Sequence, residues 1–281
     1  MMESKAKAVS LDGVRVVLVE PQNPINVGNV MRAMKNMGVC RLSLVNPAEM
    51  DFERTQISAH RTQDMLETMQ VVGSLGEALQ GVHESYGFSA RARTQTWSQL
   101  ELEEASRRGL GVLFSGGEIA LVFGREQTGL TNDELSYCTH RVYIQTGDYA
   151  SLNLSQAVLL AVHGLFRQAR PGASEAGAGE GLVAVSNHAP GSLPATQDRC
   201  RRLLGQTARM LAEIGYFKSD SPNAAMHRLQ NIVFRAQLHE DEINLLMGIC
   251  AEVSNYAKLI ARGIEPSRQC PPRVFEEYTD S

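Results

Sequence analysis

With 281 residues, 43% of them hydrophobic and 21% charged, the chain has the make-up of a soluble globular protein and room for one large domain or two ordinary ones. No apolar run reaches the ~18 residues of a membrane span, and the N-terminal MMESKAKAVSLDG lacks the apolar core of a secretory signal. A net charge of −4 gives no global sign of nucleic-acid binding, and five scattered cysteines without a C-x-x-C pair favour neither a disulfide framework nor a zinc site, so a cytoplasmic protein without a metal is expected.

The first part of the chain alternates between two periods. VRVVLVE (14–20) is a compact apolar, β-branched run, as in a buried strand. NVGNVMRAMKNMG follows with Val27, Val30, Met31, Met34 and Met37 at helical spacing and Gly38 as a stop. RLSLVNP (41–47) predicts a second strand, and MQVV and SYGFS two shorter ones. WSQLELEEASRRG predicts a helix, IALVFG (119–124) a strand, NDELSYC a short helix, HRVYIQT a strand and LSQAVLLAVHGLFRQA a long helix. Strands alternating with helices imply an α/β fold, a parallel sheet covered on both faces.

Residues 171–194 mark a boundary. Sixteen of these 24 residues are Gly, Ala, Pro or Ser, a composition that buries little and reads as a flexible linker. The expected organisation is a domain over 1–170, the linker over 171–194 and a smaller all-α domain over 195–281. The last part offers three helical patterns, 197–214, 224–238 and 240–261; in the third, Ile243, Leu246, Met247, Cys250, Val253, Ala257 and Ile260 form one apolar stripe. Arg199, Arg201, Arg202 and Arg209 lie on the first of these helices, either as solvated surface groups or as a basic patch.

In an open α/β sheet, ligands gather at the carboxyl ends of the strands, and three loops there are unusual. EPQNPINVGNVMR follows the first strand, places Asn23, Asn26 and Asn29 around a turn and sets Arg32 in the ensuing helix. It lacks the G-x-G-x-x-G of a dinucleotide site, which counts against a nucleotide-dependent oxidoreductase. GREQTGLTNDEL follows IALVF, with a glycine at the strand end that permits close backbone approach and an Arg125-Glu126 pair that an ordinary turn does not explain; Thr131 or Asn132 is placed to cap the next helix. SLNLS (151–155) precedes the long helix. One cap needs one residue, and here Ser151, Asn153 and Ser155 alternate with leucines. Three polar loops at three strand ends form a candidate pocket.

Taken together and in this order, N-P-x-N-x-G-N-x-x-R, L-V-F-G-R-E-x-x-G-L and S-L-N-L-S-x-A resemble the SPOUT RNA 2′-O-methyltransferases, within them the TrmH family. R-A-M-K-N-M-G, G-F-S-A-R-A-R and a helical extension behind a linker are similar to its tRNA-modifying subgroup. The likeness covers roughly residues 13–170. It implies a parallel sheet tied into a trefoil knot, S-adenosylmethionine bound in the knotted loops, a homodimer with the site near the subunit interface, and tRNA as partner. Carried over by motif are Asn26 and Arg32 from the first, Gly124 and Glu126 from the second, and Ser151, Leu152 and Asn153 from the third. Phe88, Ser89, Ala90 and Ile144 sit where the family has further cofactor contacts.

The implied reaction is methyl transfer to the ribose 2′-oxygen of a tRNA pyrimidine at position 32 of the anticodon loop. The alternatives are the same chemistry on ribosomal RNA or a catalytically silent RNA-binding scaffold. Arg32 is the family's proposed catalytic residue. A guanidinium stays protonated, so its expected role is to hold the target phosphate and lower the 2′-hydroxyl pKa rather than to act as a base. Glu126 is expected to orient Arg32 or accept a hydrogen bond from substrate or cofactor, and Ser151 and Asn153 to orient the ribose or the methionine end. His140 and His163, at a strand start and in mid-helix, are expected to be structural. Arg91, Arg93, Arg107, Arg108 and the arginines of 199–209 are the candidate RNA contacts.

Overall fold

The structure is a computed structural model that describes residues 9–48, 62–90, 99–148, 150–170, 192–217 and 222–264. Arg91, Arg93 and residues 171–191 of the expected linker lie outside the described residues. Among the described residues seven strands, β1 (Val14–Val19), β2 (Arg41–Val45), β3 (Gln70–Val72), β4 (Glu84–Phe88), β5 (Gln99–Glu101), β6 (Ile119–Phe123) and β7 (His140–Tyr143), form one sheet in the order β3-β2-β1-β6-β4-β7-β5. Every pairing is parallel.

Strand β1 shows why its sequence lacks polar alternation. Val14, Val16 and Leu18 join the larger core on one face, with Met31, Met34, Leu110, Val158 and Leu165. Val17 and Val19 join a second core on the other face, with Leu75, Leu79, Leu130 and Leu135. Side chains alternate across a strand, so burial on both faces demands an unbroken apolar run. The first face is covered by α1 (Pro24–Asn36), α4 (Leu102–Phe114) and α6 (Leu154–Ala169), with α6 packed against both others; α2 (Gln63–Thr68), α3 (Leu75–Ala78) and α5 (Asn132–Ser136) are short. Gly38 ends α1 in the left-handed conformation (φ +74°), as its position predicted.

One element differs from expectation. WSQLELEEASRRG was predicted to be helical throughout, but Gln99–Glu101 extend the sheet as edge strand β5 beside β7, and the helix starts at Leu102. The ladder and the bond from the Tyr143 hydroxyl to Glu101 (2.6 Å) draw these residues outward. Gly109 does not stop the helix. It lies within α4, and a Cβ there would stand 2.8 Å from the Ile119 side chain.

The C-terminal helices are α7 (Gln197–Glu213), α8 (Asn223–Ala236) and α9 (Glu240–Ala261), gathered on Cys200, Leu203, Phe234 and Ile243. The predicted stripe of α9 holds for Ile243 and Cys250, with Leu246 and Met247 packed on the same core, but not for Ile260, which is 53% exposed. These helices seat on the N-terminal ends of β4 and β7. Buried Gln197 donates to the hydroxyls of Ser85 and Thr139 (both 2.5 Å), and its N–H to the Val82 carbonyl (2.8 Å). Gln237 donates to Glu84 (2.5 Å), Gln230 donates to the Ser136 carbonyl, and Arg201 lies 3.9 Å over the Tyr137 ring while donating to the Tyr137 carbonyl (2.6 Å). No helix among the described residues is long and apolar enough to cross a membrane.

Candidate functional site

The strand order turns at β1: β2 and β3 run to one side, β6, β4, β7 and β5 to the other. This puts the loop after β1 beside the loop after β6, where an open sheet leaves a crevice. Asn23 caps α1 by accepting from the Ile25 N–H (2.9 Å), and Pro24 begins the helix, where its missing N–H costs nothing. Asn23 is therefore the cap of α1, and the side chain of Asn26 is left for another role.

Glu126, on the neighbouring loop, accepts from the backbone N–H groups of Gln22 (3.0 Å) and Asn23 (3.0 Å) and from the side-chain amide of Asn26 (3.1 Å). Its carboxylate thereby sits at the positive end of α1. The carbonyl oxygen of Asn26 in turn accepts from the side-chain amide of Asn153 (3.2 Å). Asn153 accepts from the N–H and hydroxyl of Ser155 (2.9 and 2.7 Å), and Gln156 accepts from the Asn153 N–H (3.3 Å), so a capping box opens α6. One hydrogen-bonded line, Glu126–Asn26–Asn153, joins all three motif loops. Its polarity is fixed. An ionised carboxylate only accepts, so Asn26 turns its NH2 to Glu126 and its oxygen to Asn153.

The second loop is shaped by its glycines. A Cβ on Gly124 would lie 2.2 Å from the Gly129 carbonyl carbon and 2.3 Å from the Leu130 nitrogen. The chain doubles back over Gly124 itself, with Gly129 left-handed (φ +68°) and its N–H bonded to the Arg125 carbonyl (2.9 Å). The close approach read from this glycine is thus first of all an approach of the protein's own backbone. Arg125 secures the loop from both sides. It holds Glu134 of α5 in a fork (3.1 and 3.0 Å) and reaches Glu20 at the end of β1 (2.9 Å). These bonds, Glu134 first, raise its pKa further. Burial works to raise Glu134, but the Arg125 fork and the Thr131 N–H outweigh it and hold the carboxyl below its ordinary range. Thr131 and Glu134 form a second capping box. Glu20 is held in the left-handed region (φ 47°), a conformation uncommon outside glycine.

Arg32 is exposed and makes no hydrogen bond or ion pair with another described residue. The expected contact between Glu126 and Arg32 is not formed. Arg32 lies six positions after Asn26, which places them about 120° apart around the helix, and the Glu126 oxygens face the start of α1 instead. The remaining candidates line the strand ends. Phe88 is buried and stacks on Phe123 (4.4 Å between centroids). The Ser89 N–H prolongs the β4–β7 ladder to the Val142 carbonyl (3.1 Å). Ile144 and Leu152 are half-buried, Ala90 and Ser151 exposed. His140 lies at the opposite end of the sheet against Glu84 (3.5 Å), and His163 is exposed on α6; neither reaches these loops.

Sequence reasoning missed Glu20, Glu134 and Gln156 as supports of the site. The spacings Thr131-x-x-Glu134 and Asn153-x-x-Gln156 signal two of them as capping boxes; the Glu20 partner of Arg125 has no local signature. Several of the candidate RNA arginines are held internally. Arg107 and Arg108 both pair with Glu104, Arg199 with Glu240 and Asn244, and Arg202 with Asp198.

The profile of the SpoU rRNA Methylase family matches residues 13–163, and that of the tRNA methyltransferase TrmJ C-terminal domain matches residues 198–263. The chain is 34% identical to the tRNA (cytidine/uridine/adenosine-2′-O-)-methyltransferase TrmJ of Pseudomonas aeruginosa, over 92% of this chain and 98% of that protein. It is 34% identical to the tRNA (cytidine/uridine-2′-O-)-methyltransferase TrmJ of Salmonella typhimurium, over 88% and 99%. Among solved structures it shares the fold of TrmJ from Z. mobilis, with a TM-score of 0.70 at 22% identity over 85% of this chain and 98% of that one. A probable methylase family protein from Haemophilus influenzae aligns at 29% identity and TM-score 0.53, over 89% and 99%. The chain belongs to the SpoU methylase family, in its TrmJ branch.

Proposed function

We propose that this protein methylates the ribose 2′-oxygen of a tRNA pyrimidine at position 32 of the anticodon loop, with S-adenosylmethionine as donor, and that it works in the cytoplasm as a homodimer. The observation that carries this reading is the Glu126–Asn26–Asn153 line, which gathers three motif loops at the switch point of the sheet. The similarity to tRNA 2′-O-methyltransferases along nearly the whole chain supports it.

The strand-end loops fit the donor. Ile144 and Leu152 offer half-buried apolar surface, and the backbone N–H groups of Ala90, Ser151 and Leu152 make no hydrogen bond to another described residue. Residues 88–90, 124, 144 and 151–153 would hold it, mostly through backbone groups. When bound, it supplies a methyl group on a positively charged sulfur. In this reading the segment from β7 through α6 passes back through the preceding loops as a trefoil knot; the packing of α6 on α1 and the Asn153–Asn26 bond suit that path. The 1–170 domain carries out the chemistry, and the helices after the 171–194 linker take part in tRNA capture.

A ribose hydroxyl is a weak nucleophile at neutral pH, so the site needs alignment and charge. Arg32 supplies the charge. Its guanidinium binds a phosphate next to the target ribose and stabilises the developing oxyanion without exchanging a proton. Its position away from the Glu126 network suits a site completed near the subunit interface. Glu126, Asn26 and Asn153 position the loops, and Ser151 orients the substrate ribose or the methionine end. The deciding experiment incubates the purified protein with labelled donor and either tRNA or ribosomal RNA, then maps the product by nucleoside mass spectrometry. A 2′-O-methylpyrimidine at tRNA position 32 is expected. Label in ribosomal RNA alone, or in neither, would replace this reading with one of its two alternatives.

A further inference from the structure

Helix α8 contains no acidic residue: its sequence is NAAMHRLQNIVFRA. Its inward side is defined by contacts, with Phe234 buried, Val233 packed on the small helical core and Gln230 bonded to the Ser136 carbonyl. On the side away from these lie Ala224, Arg228, Asn231 and Arg235, at the i, i+4, i+7, i+11 spacing of one stripe. Arg228 and Arg235 are exposed, and neither has an ion pair or hydrogen bond with another described residue.

Among the other described residues of this acidic chain, surface cations are mostly paired: Arg199 with Glu240, Arg202 with Asp198, Lys258 with Glu213 and Arg167 with Glu103. Arg235 has a local reason to be where it is, since a cation in the last turn complements the helix dipole. Arg228, in mid-helix, has none. A stripe with two free guanidinium groups two turns apart, an amide between them and no carboxylate on the helix matches a row of phosphates, because guanidinium groups bind phosphate oxygens in a fork. We infer that the outer stripe of α8, and not the arginine-rich α7, is the surface of the helical extension that contacts the tRNA phosphate backbone. This rests on the reading of the protein as a tRNA methyltransferase.

The test measures binding of full-length protein to unmodified tRNA across a salt series, for the wild type, for the double variant Arg228→Gln/Arg235→Gln and for Arg202→Gln. In the double variant the slope of log affinity against log salt becomes shallower by about 2, one for each guanidinium withdrawn from a phosphate, and affinity at low salt drops by roughly an order of magnitude or more. Its melting temperature stays at the wild-type value, which excludes unfolding as the cause. Arg202→Gln, which also removes one positive charge, keeps the wild-type slope. Unchanged affinity and slope in the double variant, or an equal loss in Arg202→Gln, overturns the assignment to α8 while leaving the methyltransferase reading intact. Failure of the wild type to bind tRNA overturns both.

Discussion

Asn26 is the one residue of the site that both donates and accepts along the motif line, between a carboxylate and an amide. Asparagine suits that place because its two ends differ in kind. Asn26→Asp keeps the shape but sets two carboxylates face to face, and one of them must then take up a proton. The expected outcome is a variant slower than Asn26→Ala at neutral pH that recovers as the pH falls, visible in a pH–rate profile; wild-type rates at neutral pH would sink the proposed line. Arg32 has the opposite character. It is exposed and without a partner among the described residues, so its removal should leave the fold intact. Arg32→Ala should lower kcat by roughly 100- to 1000-fold, the usual effect of deleting one transition-state donor, with cofactor affinity by calorimetry nearly unchanged. Abolished cofactor binding with normal turnover at saturation would reverse the assignment.

At the scale of elements, the loop after β6 works as a unit because Gly124 lacks a side chain, Gly129 takes a positive φ and Arg125 ties β1 to α5. Gly124→Ala forces a Cβ into backbone that cannot yield, so the loop must move and carry Glu126 away from α1. The expected cost is about 1–3 kcal/mol, as for overpacking in a core, together with weakened cofactor binding; a denaturant melt and a calorimetric titration read the two effects, and a variant intact in both would refute the doubled-back loop. Much of this level is legible in the sequence. The buried strands β1, β2 and β6 stand out as short, largely apolar runs, and α1 and α6 as helical stripes. What escaped has physical causes. Strand β5 is three residues long and is made extended by its neighbour, which no local pattern announces. The caps of α5 and α6 were legible as box spacings. The Glu20–Arg125 pair spans residues 105 apart, and only the fold brings them together. Asn26, Glu126 and Asn153 could be named from motifs, but who bonds to whom could not, because that depends on the β1–β6 adjacency.

In the molecule as a whole, the helical extension and the sheet meet around Glu84. It lies buried, accepts from Gln237 and Tyr86 (both 2.5 Å) and stands 3.5 Å from His140. Burial works to raise its carboxyl, but the His140 ring and the Tyr86 hydroxyl outweigh it and hold the group below the ordinary carboxylate range. A carboxyl depressed on folding contributes stability above its unfolded value, about 4.3 for Glu, and loses that contribution as the pH falls through the lower folded value. Glu84→Gln should therefore be less stable than the wild type near neutral pH, with the gap closing in acid; urea melts from about pH 7 down to about pH 3 test this, and a gap independent of pH would show that Glu84 acts by shape alone. The same junction fixes a length. The extension grips the N-terminal ends of β4 and β7, whereas the motif loops crown the C-terminal ends of β1 and β6, and five strand residues at about 3.3 Å each put roughly 16 Å of rigid sheet between these levels. Within one protomer, grip and chemistry are therefore held apart as on a ruler. On the reading that the extension captures tRNA, an RNA reaching both levels must extend that far from its target nucleotide, and a hairpin trimmed to the target loop would engage one end only.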